Sequence, residues 1–300
     1  MKFTKLSTFV AFVLSLLFGS NALAQAPAAA RTDTSSLLYE VTGKGLAKPS
    51  YVFGTMHAAC ETDVVPLETI GKYLNQTDQL VMELDLDDPA ELGSMASSVM
   101  IPAGKTLKDY LTPEEFAKVD AMVMSLMGVS AEAVKSIKPI MLSVVLLTSQ
   151  KAIGCAPPVT YDLSLAKLAA AAKKPVIGLE TAAEQVALID SKPVAKQAKE
   201  LYEMSRDTAK SLKDMKDLIE AYRSRSSDRL FELSVVQSKS DREFFKRLLD
   251  DRNIAWIPKL ESSMKSKSTF VAVGAAHLGG KDGVLALLRS KGYTVTPIKL

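Results

Sequence analysis

The sequence predicts an α/β fold: a mixed central sheet flanked by helices, with a large helical middle section. Three observations carry this expectation. Short β-prone runs gather near both ends of the chain, two of them run into a Gly-x-x-His turn, and the long stretch between them has helical spacing of its apolar residues. One domain is expected over 37–300, with helical insertions at about 89–150 and 194–250.

The chain opens with Lys2 and Lys5, an apolar run from Phe9 to Phe18, and Ala22-Leu23-Ala24. That order is the layout of a secretory signal peptide cleaved after Ala24, which implies export and a periplasmic location. The apolar run is too short to span a bilayer comfortably and no second one follows, so no transmembrane anchor is expected after cleavage. Residues 25–36, mostly Ala, Pro, Thr and Ser, read as a flexible lead-in.

Leu37 to Val41 and Tyr51 to Phe53 are β-prone runs joined through Gly43, Gly45 and Pro49, a hairpin with a long turn. The second run leads into Gly54-Thr55-Met56-His57. A helix over Leu67 to Leu74 and a nearly continuous apolar strand over Gln79 to Leu84 make a crossover unit with it. Between Pro89 and Gln150 the chain reads as helices. Thr112-Pro113-Glu114-Glu115 supplies an N-cap, a proline at the first helical position and a glutamate at the third, and a core stripe of Phe116, Val119, Val123, Leu126 and Met127 follows.

A helix over Leu165 to Lys173 precedes a short strand at Pro175 to Leu179, closed by Glu180. Thr181-Ala182-Ala183-Glu184 then begins a helix with a second capping box. From Val194 to about Asp250 the residues are charged, helical and of mixed sign, a solvated face. The last segment returns to strand, helix, strand: Thr269 to Val273, Lys281 to Arg289 and Thr294 to Ile298. Its first strand ends in Gly274-Ala275-Ala276-His277.

The formal charge is only +3, with acidic and basic residues interspersed, which argues against a nucleic-acid partner. A Gly-x-Ser-x-Gly elbow is absent, so a serine hydrolase has no support. The two cysteines, Cys60 and Cys155, are an even pair in a chain expected to be exported, and a disulfide is the first reading. Because Cys60 lies three residues after His57, a thiolate ligand is the other.

His57 and His277 are the only histidines in the chain. Each follows an apolar strand by a glycine-containing turn, placing it at a strand's carboxyl end, where open α/β sheets build their sites. Glycine lets the backbone turn sharply or approach a ligand closely there. Glu83 ends the strand after the first such turn, with Asp85, Asp87 and Asp88 on the loop beyond. Two imidazoles and a carboxylate are a common ligand set for a catalytic divalent metal. Without metal, the same groups suit general acid, general base and orienting partner.

These segments resemble the TraB/GumN family, bacterial relatives of the animal TIKI proteins. The matching pieces are Tyr51 to His57, Met82-Glu83-Leu84-Asp85, Gly178-Leu179-Glu180-Thr181 with Gln185, Asp251-Arg252-Asn253, and Val273 to Leu278 with Gly283 and Gly292-Tyr293. The resemblance implies an α/β core shared with erythromycin-esterase-like and ChaN-like proteins. It also implies one cleft holding both histidines and Glu83, in which His57, Glu83 and His277 bind a metal or act catalytically.

By the same resemblance Arg252 joins the catalytic group, Gly54, Thr55, Gly274, Glu180 and Asn253 line the substrate, and Asp162 is a recurrent acidic position. Asp251 replaces the usual glutamate before Arg-Asn, and Trp256 and Pro258 stand where a helix is expected. The function so implied is a metal-dependent hydrolase of peptidase type acting on a peptide or small molecule. The alternative is a non-catalytic module that binds a peptide, a signal molecule or haem in the same cleft.

Overall fold

In the computed structural model, residues 36–155 and 158–300 are described, so the expected signal peptide and nearly all of the lead-in lie outside the described residues. The β-prone runs become six strands: β1 Leu38–Thr42, β2 Ser50–Thr55, β3 Gln79–Met82, β4 Val176–Gly178, β5 Thr269–Gly274 and β6 Thr294–Ile298. They form one mixed sheet in the order β4-β3-β5-β2-β1-β6. The β1–β2 hairpin and the β1–β6 pair are antiparallel, while β2–β5, β5–β3 and β3–β4 are parallel.

The parallel centre explains why these strands read as continuous apolar runs, since helices cover both faces. Every residue of β2, β3 and β5 is buried. Phe53, Leu80, Met82, Phe270 and Ala272 point to one face, where they meet the helices Leu67–Asn75, Tyr161–Ala171 and Thr208–Arg223. Val52, Val81, Val271 and Val273 point to the other, against Arg252–Ser266 and Val284–Ser290.

The two helical stretches close on each other. Val119, Met122, Val123 and Leu126 of Pro113–Met127 and Ile140, Met141, Leu142 and Leu146 of Pro139–Leu147 share a separate apolar cluster with Ala198, Leu201, Phe244 and Leu248. Both capping boxes form, at Thr112 with Glu115 and at Thr181 with Glu184, and fix where those helices begin. Among the described residues no helix is long and apolar enough to cross a membrane.

Strand order decides what the histidine turns can do. The crossover from β2 to β3 leaves one strand position open between them, and the C-terminal β5 fills it. Thr55 pairs with Gly274 and Met82 with Ala272, so β2, β5 and β3 end side by side at one edge of the sheet. Met82 also pairs with Gly178, which adds the end of β4 to the row. His57, His277, Glu83 and Glu180 therefore leave four adjacent parallel strands at their carboxyl ends.

Candidate functional site

Each histidine is held by a different partner through Nδ1. Thr55 and His57, two residues apart at the end of β2, both reach Asp162, which lies in the first turn of the helix Tyr161–Ala171. Thr55 Oγ1 donates to Asp162 Oδ1 at 3.0 Å, and His57 Nδ1 stands 3.0 Å from Oδ2. A carboxylate can only accept, so His57 carries its proton on Nδ1 in either charge state. His277 Nδ1 lies 2.7 Å from Asn253 Oδ1, whose own amide donates to the Asp282 carbonyl at 3.0 Å. That fixes the amide oxygen as acceptor and the Nδ1–H tautomer of His277.

Arg252 is the centre of the arrangement. Its Nε donates to both oxygens of Glu180, at 3.0 and 3.1 Å, and Nη2 donates to Glu180 and, at 2.6 Å, to Glu83 Oε2. Nη1 donates to the Leu248 carbonyl at 3.0 Å and reaches His277 Nε2 at 3.2 Å. A guanidinium has five N–H groups, and these partners take all of them. Its plane lies over the Trp256 ring, 4.7 Å from the centroid, and the same ring stacks on His277 at 4.5 Å.

The local sequence makes this possible. A π-helical turn, Arg247–Asp251, leads into the helix Arg252–Ser266, and such turns often mark functional sites. Arg252, Asn253 and Trp256 all bury against the sheet edge. Trp256 and Pro258 do not interrupt the helix. The hydrogen bond that Pro258 omits would go to Ile254, which is 51% exposed, so the gap falls on the solvent side.

The two imidazoles are tuned in opposite directions. Burial alone pulls both pKa values down. At His57 the Asp162 carboxylate outweighs burial, and the imidazole is held above its ordinary value. At His277 burial is the largest influence and, with help from the Arg252 guanidinium and His57, outweighs the opposing Glu83 carboxylate, so its pKa falls to about 3. Burial would raise Glu83, but Arg252, the two imidazoles and the Gly274 N–H, which donates to Oε1 at 2.8 Å, hold it well below the usual carboxylate range. Groups whose surroundings push their pKa values apart are suited to acid and base roles.

The His277 shift has a sign that can be measured. Its folded pKa lies below its unfolded value of about 6.5, so the unfolded chain takes up a proton first as pH falls. Stability from this group is complete above about pH 6.5 and declines toward pH 3, by about 1.4 kcal/mol per pH unit. His57 runs the other way, its contribution being complete below about pH 6.5 and lost as pH rises through its raised folded value. Urea unfolding between pH 7 and 4.5 should therefore show His277→Gln flattening the slope by about one proton. An unchanged slope would contradict the neutral, buried assignment.

The remaining expected residues take defined places. A Cβ at Gly274 would stand 3.3 Å from Glu83 Oε1, 3.4 Å from His57 Nε2 and 3.5 Å from His277 Cδ2, so the absence of a side chain at the glycine lets all three converge on it. Gly54 serves packing: a Cβ there would lie 2.9 Å from Ala275, and its carbonyl accepts from the Tyr222 hydroxyl at 3.0 Å. Thr55, Glu180 and Asn253, expected beside substrate, are each engaged with protein partners and act by holding Asp162, Arg252 and His277. Asp85 and Asp88 cap the loop and the helix after β3. Cys60 and Cys155 form a disulfide, which removes the thiolate reading.

Asp162 was legible only as a recurrent acidic position, because nothing in its local sequence pairs it with a histidine 105 residues away. The metal expectation meets an obstacle in the same geometry. His277 Nε2 and Glu83 Oε2 are both occupied by Arg252, and their closest mutual approach, Nε2 to Oε1, is 3.8 Å. Among the described residues no three His, Cys, Asp or Glu side chains are placed to hold a metal ion. As arranged, these donors do not fit one.

Residues 37–297 match the model of the TraB/PrgY/gumN family. A protein named Metalloprotease TIKI1, from Danio rerio, is 26% identical over 91 residues, which is 30% of this chain and 18% of that protein's length. The uncharacterized protein YbaP of Shigella flexneri is 26% identical over 244 residues, 80% of this chain and 88% of its own. No solved structure matches the chain.

Proposed function

The chain belongs to the TraB/PrgY/gumN family, and from that premise we propose that it is an exported hydrolase of peptidase type, in which His57 is the general base. The observation that carries this reading is the buried Thr55–Asp162–His57 relay, whose Nε2 turns toward Gly274, where Glu83 and His277 also converge. In the proposed reaction Asp162 keeps the Nδ1 proton of His57 in place, His57 Nε2 takes a proton from water attacking a substrate carbonyl, and the same nitrogen returns that proton to the leaving amine as the C–N bond breaks. The raised basicity of His57 favours that transfer. Arg252 has no N–H left to offer substrate, and it acts through its field, stabilising negative charge that develops beside Glu83 and His277.

A peptide bond is the first substrate class to try, because one relative is named a metalloprotease. That name also favours a second reading, in which His57, Glu83 and His277 take up a divalent ion when the Arg252 guanidinium gives up His277. Such an ion would supply Lewis acidity and an acidified water.

One experiment separates the two. Protein lacking residues 1–24 is treated with chelator and assayed on a peptide library, with and without added Mn²⁺, Co²⁺ or Zn²⁺. Cleavage that survives chelation and disappears in His57→Gln supports the metal-free base. Cleavage only with added ion transfers the reading to the metal form, and binding there would also quench the single tryptophan, which stacks on His277. Ligand binding without turnover under every condition sinks the enzyme reading and leaves a binding module.

A further inference from the structure

We infer that the Cys60–Cys155 disulfide is a positioning element for the His57–Asp162 pair. Cys60 lies three residues after His57, and Cys155 lies seven before Asp162. The bridge therefore joins the segment that leaves β2 with the histidine to the segment that enters the Tyr161–Ala171 helix with the carboxylate. Among the described residues, these segments are tied, besides the disulfide, by the Thr55 and His57 contacts with Asp162 and by the following links. Ala59 and Val159 exchange backbone hydrogen bonds, at 3.3 and 2.9 Å, in an isolated antiparallel bridge. The Tyr161 hydroxyl donates to the Val65 carbonyl. Neither segment belongs to the six-stranded sheet, so among the described residues their register rests on that one backbone bridge and on the disulfide.

The contrast with His277 gives the inference its content. His277 and its partner Asn253 sit on a helical turn and a long helix, and Arg252 and Trp256 brace them on further sides. Trp256 belongs to the apolar cluster on the opposite face of the sheet, whereas Cys60 and Cys155 are half-buried residues packed at the edge of the first cluster. Loss of the bridge should consequently loosen one imidazole and leave the other in place. A bridge of general stabilising value would affect both alike.

The two histidines make this measurable by nitrogen-15 NMR of the full mature chain. Each should give one downfield Nδ1–H resonance, assigned with His57→Gln and His277→Gln. In the Cys60→Ser/Cys155→Ser double variant, the His57 resonance is expected to disappear through loss of its hydrogen bond to Asp162, while the His277 resonance persists. Where hydrolysis is measured, kcat should fall by about 100-fold, the cost of misplacing a reacting group by about an ångström. Both resonances unchanged would overturn the inference.

If the double variant does not fold, the same two signals are followed in the native protein during titration with a dithiol, which reduces the bridge to two thiols as the dithiol is oxidised. Loss of the His57 signal ahead of the His277 signal supports the positioning role, and simultaneous loss overturns it. The inference rests on the hydrolase reading for its kinetic arm alone. A selective NMR change without any hydrolysis would sink that reading and leave the positioning role intact.

Discussion

Replacing Arg252 with leucine should cost this protein about 3–5 kcal/mol of stability, the penalty for removing one partner of a buried ion pair. Glu83 and Glu180 are almost fully buried, with side chains 12% and 8% exposed, and each has its charge answered by this one guanidinium. Leucine would fill much of the volume and leave both carboxylates without a counter-charge. The stacking of the guanidinium on Trp256 would go as well, worth about 0.5–2 kcal/mol. Against a total stability of about 5–15 kcal/mol for a typical domain, that is a large fraction.

Arg252→Lys should recover only part of the loss. Lysine keeps the charge but has no planar fork with which to hold Glu180 and Glu83 together. The two-carboxylate explanation makes a sharper demand as well. Adding Glu83→Gln and Glu180→Gln to Arg252→Leu should restore much of the stability, since the orphaned charges are then gone. Urea unfolding monitored by the single tryptophan measures all four proteins, because Trp256 is buried beside the site. A loss below about 1 kcal/mol for Arg252→Leu, the level of an exposed ion pair, would refute the role assigned to it.

The second large effect belongs to Asp162. Asp162→Asn should leave the fold in place and lower kcat by about 10²–10⁴-fold, the usual worth of a positioned general base. The pH profile should move as well, and its sign follows from the opposing influences on His57. In the native site the carboxylate holds the imidazole above its ordinary pKa, against burial. Activity needs the neutral base, so it should rise with pH through that elevated value. Asparagine removes the charge and leaves burial in control, which should shift the limb to lower pH while the plateau falls. A profile that stays put with full activity would remove Asp162 from the mechanism.

How much of this could be read beforehand depended on distance along the chain. The strand runs, the capping boxes at Thr112 and Thr181, and the two histidine turns are local. Each is written in neighbouring residues, by alternating or continuous apolar character, by an N-cap three residues before a glutamate, or by a glycine at the end of a strand. Even so, β3 ends at Met82, two residues short of the apolar run that announced it, and the next residue, Glu83, sends its side chain to Arg252 and the Gly274 N–H. Apolar character marks burial, and Leu84 stays buried beyond the strand.

The role of Arg252 changed most between sequence and fold. The family resemblance implied a catalytic group, yet all of its donors end on the protein. No window of sequence contains Glu83, Glu180, Leu248 and His277 together, so no local reading could have counted those partners. The metal expectation meets its obstacle for the same reason: residue types suggested ligands, and the position of one cation beside them could not be known.

Neighbouring residues suffice to put the chemical groups at the strand ends: two imidazoles, Glu83 and Glu180, each delivered by a short apolar run and a sharp turn. Which of them meet, and in what protonation state, depends on contacts between distant parts of the folded chain. The insertion of β5 between β2 and β3 is a long-range choice of strand order, and it sets the two histidine turns side by side. Their opposite titration follows from what meets burial at each, since Asp162 overcomes it at His57 while at His277 Arg252 works against Glu83 and burial prevails, and proximity of that kind exists only after the chain has folded.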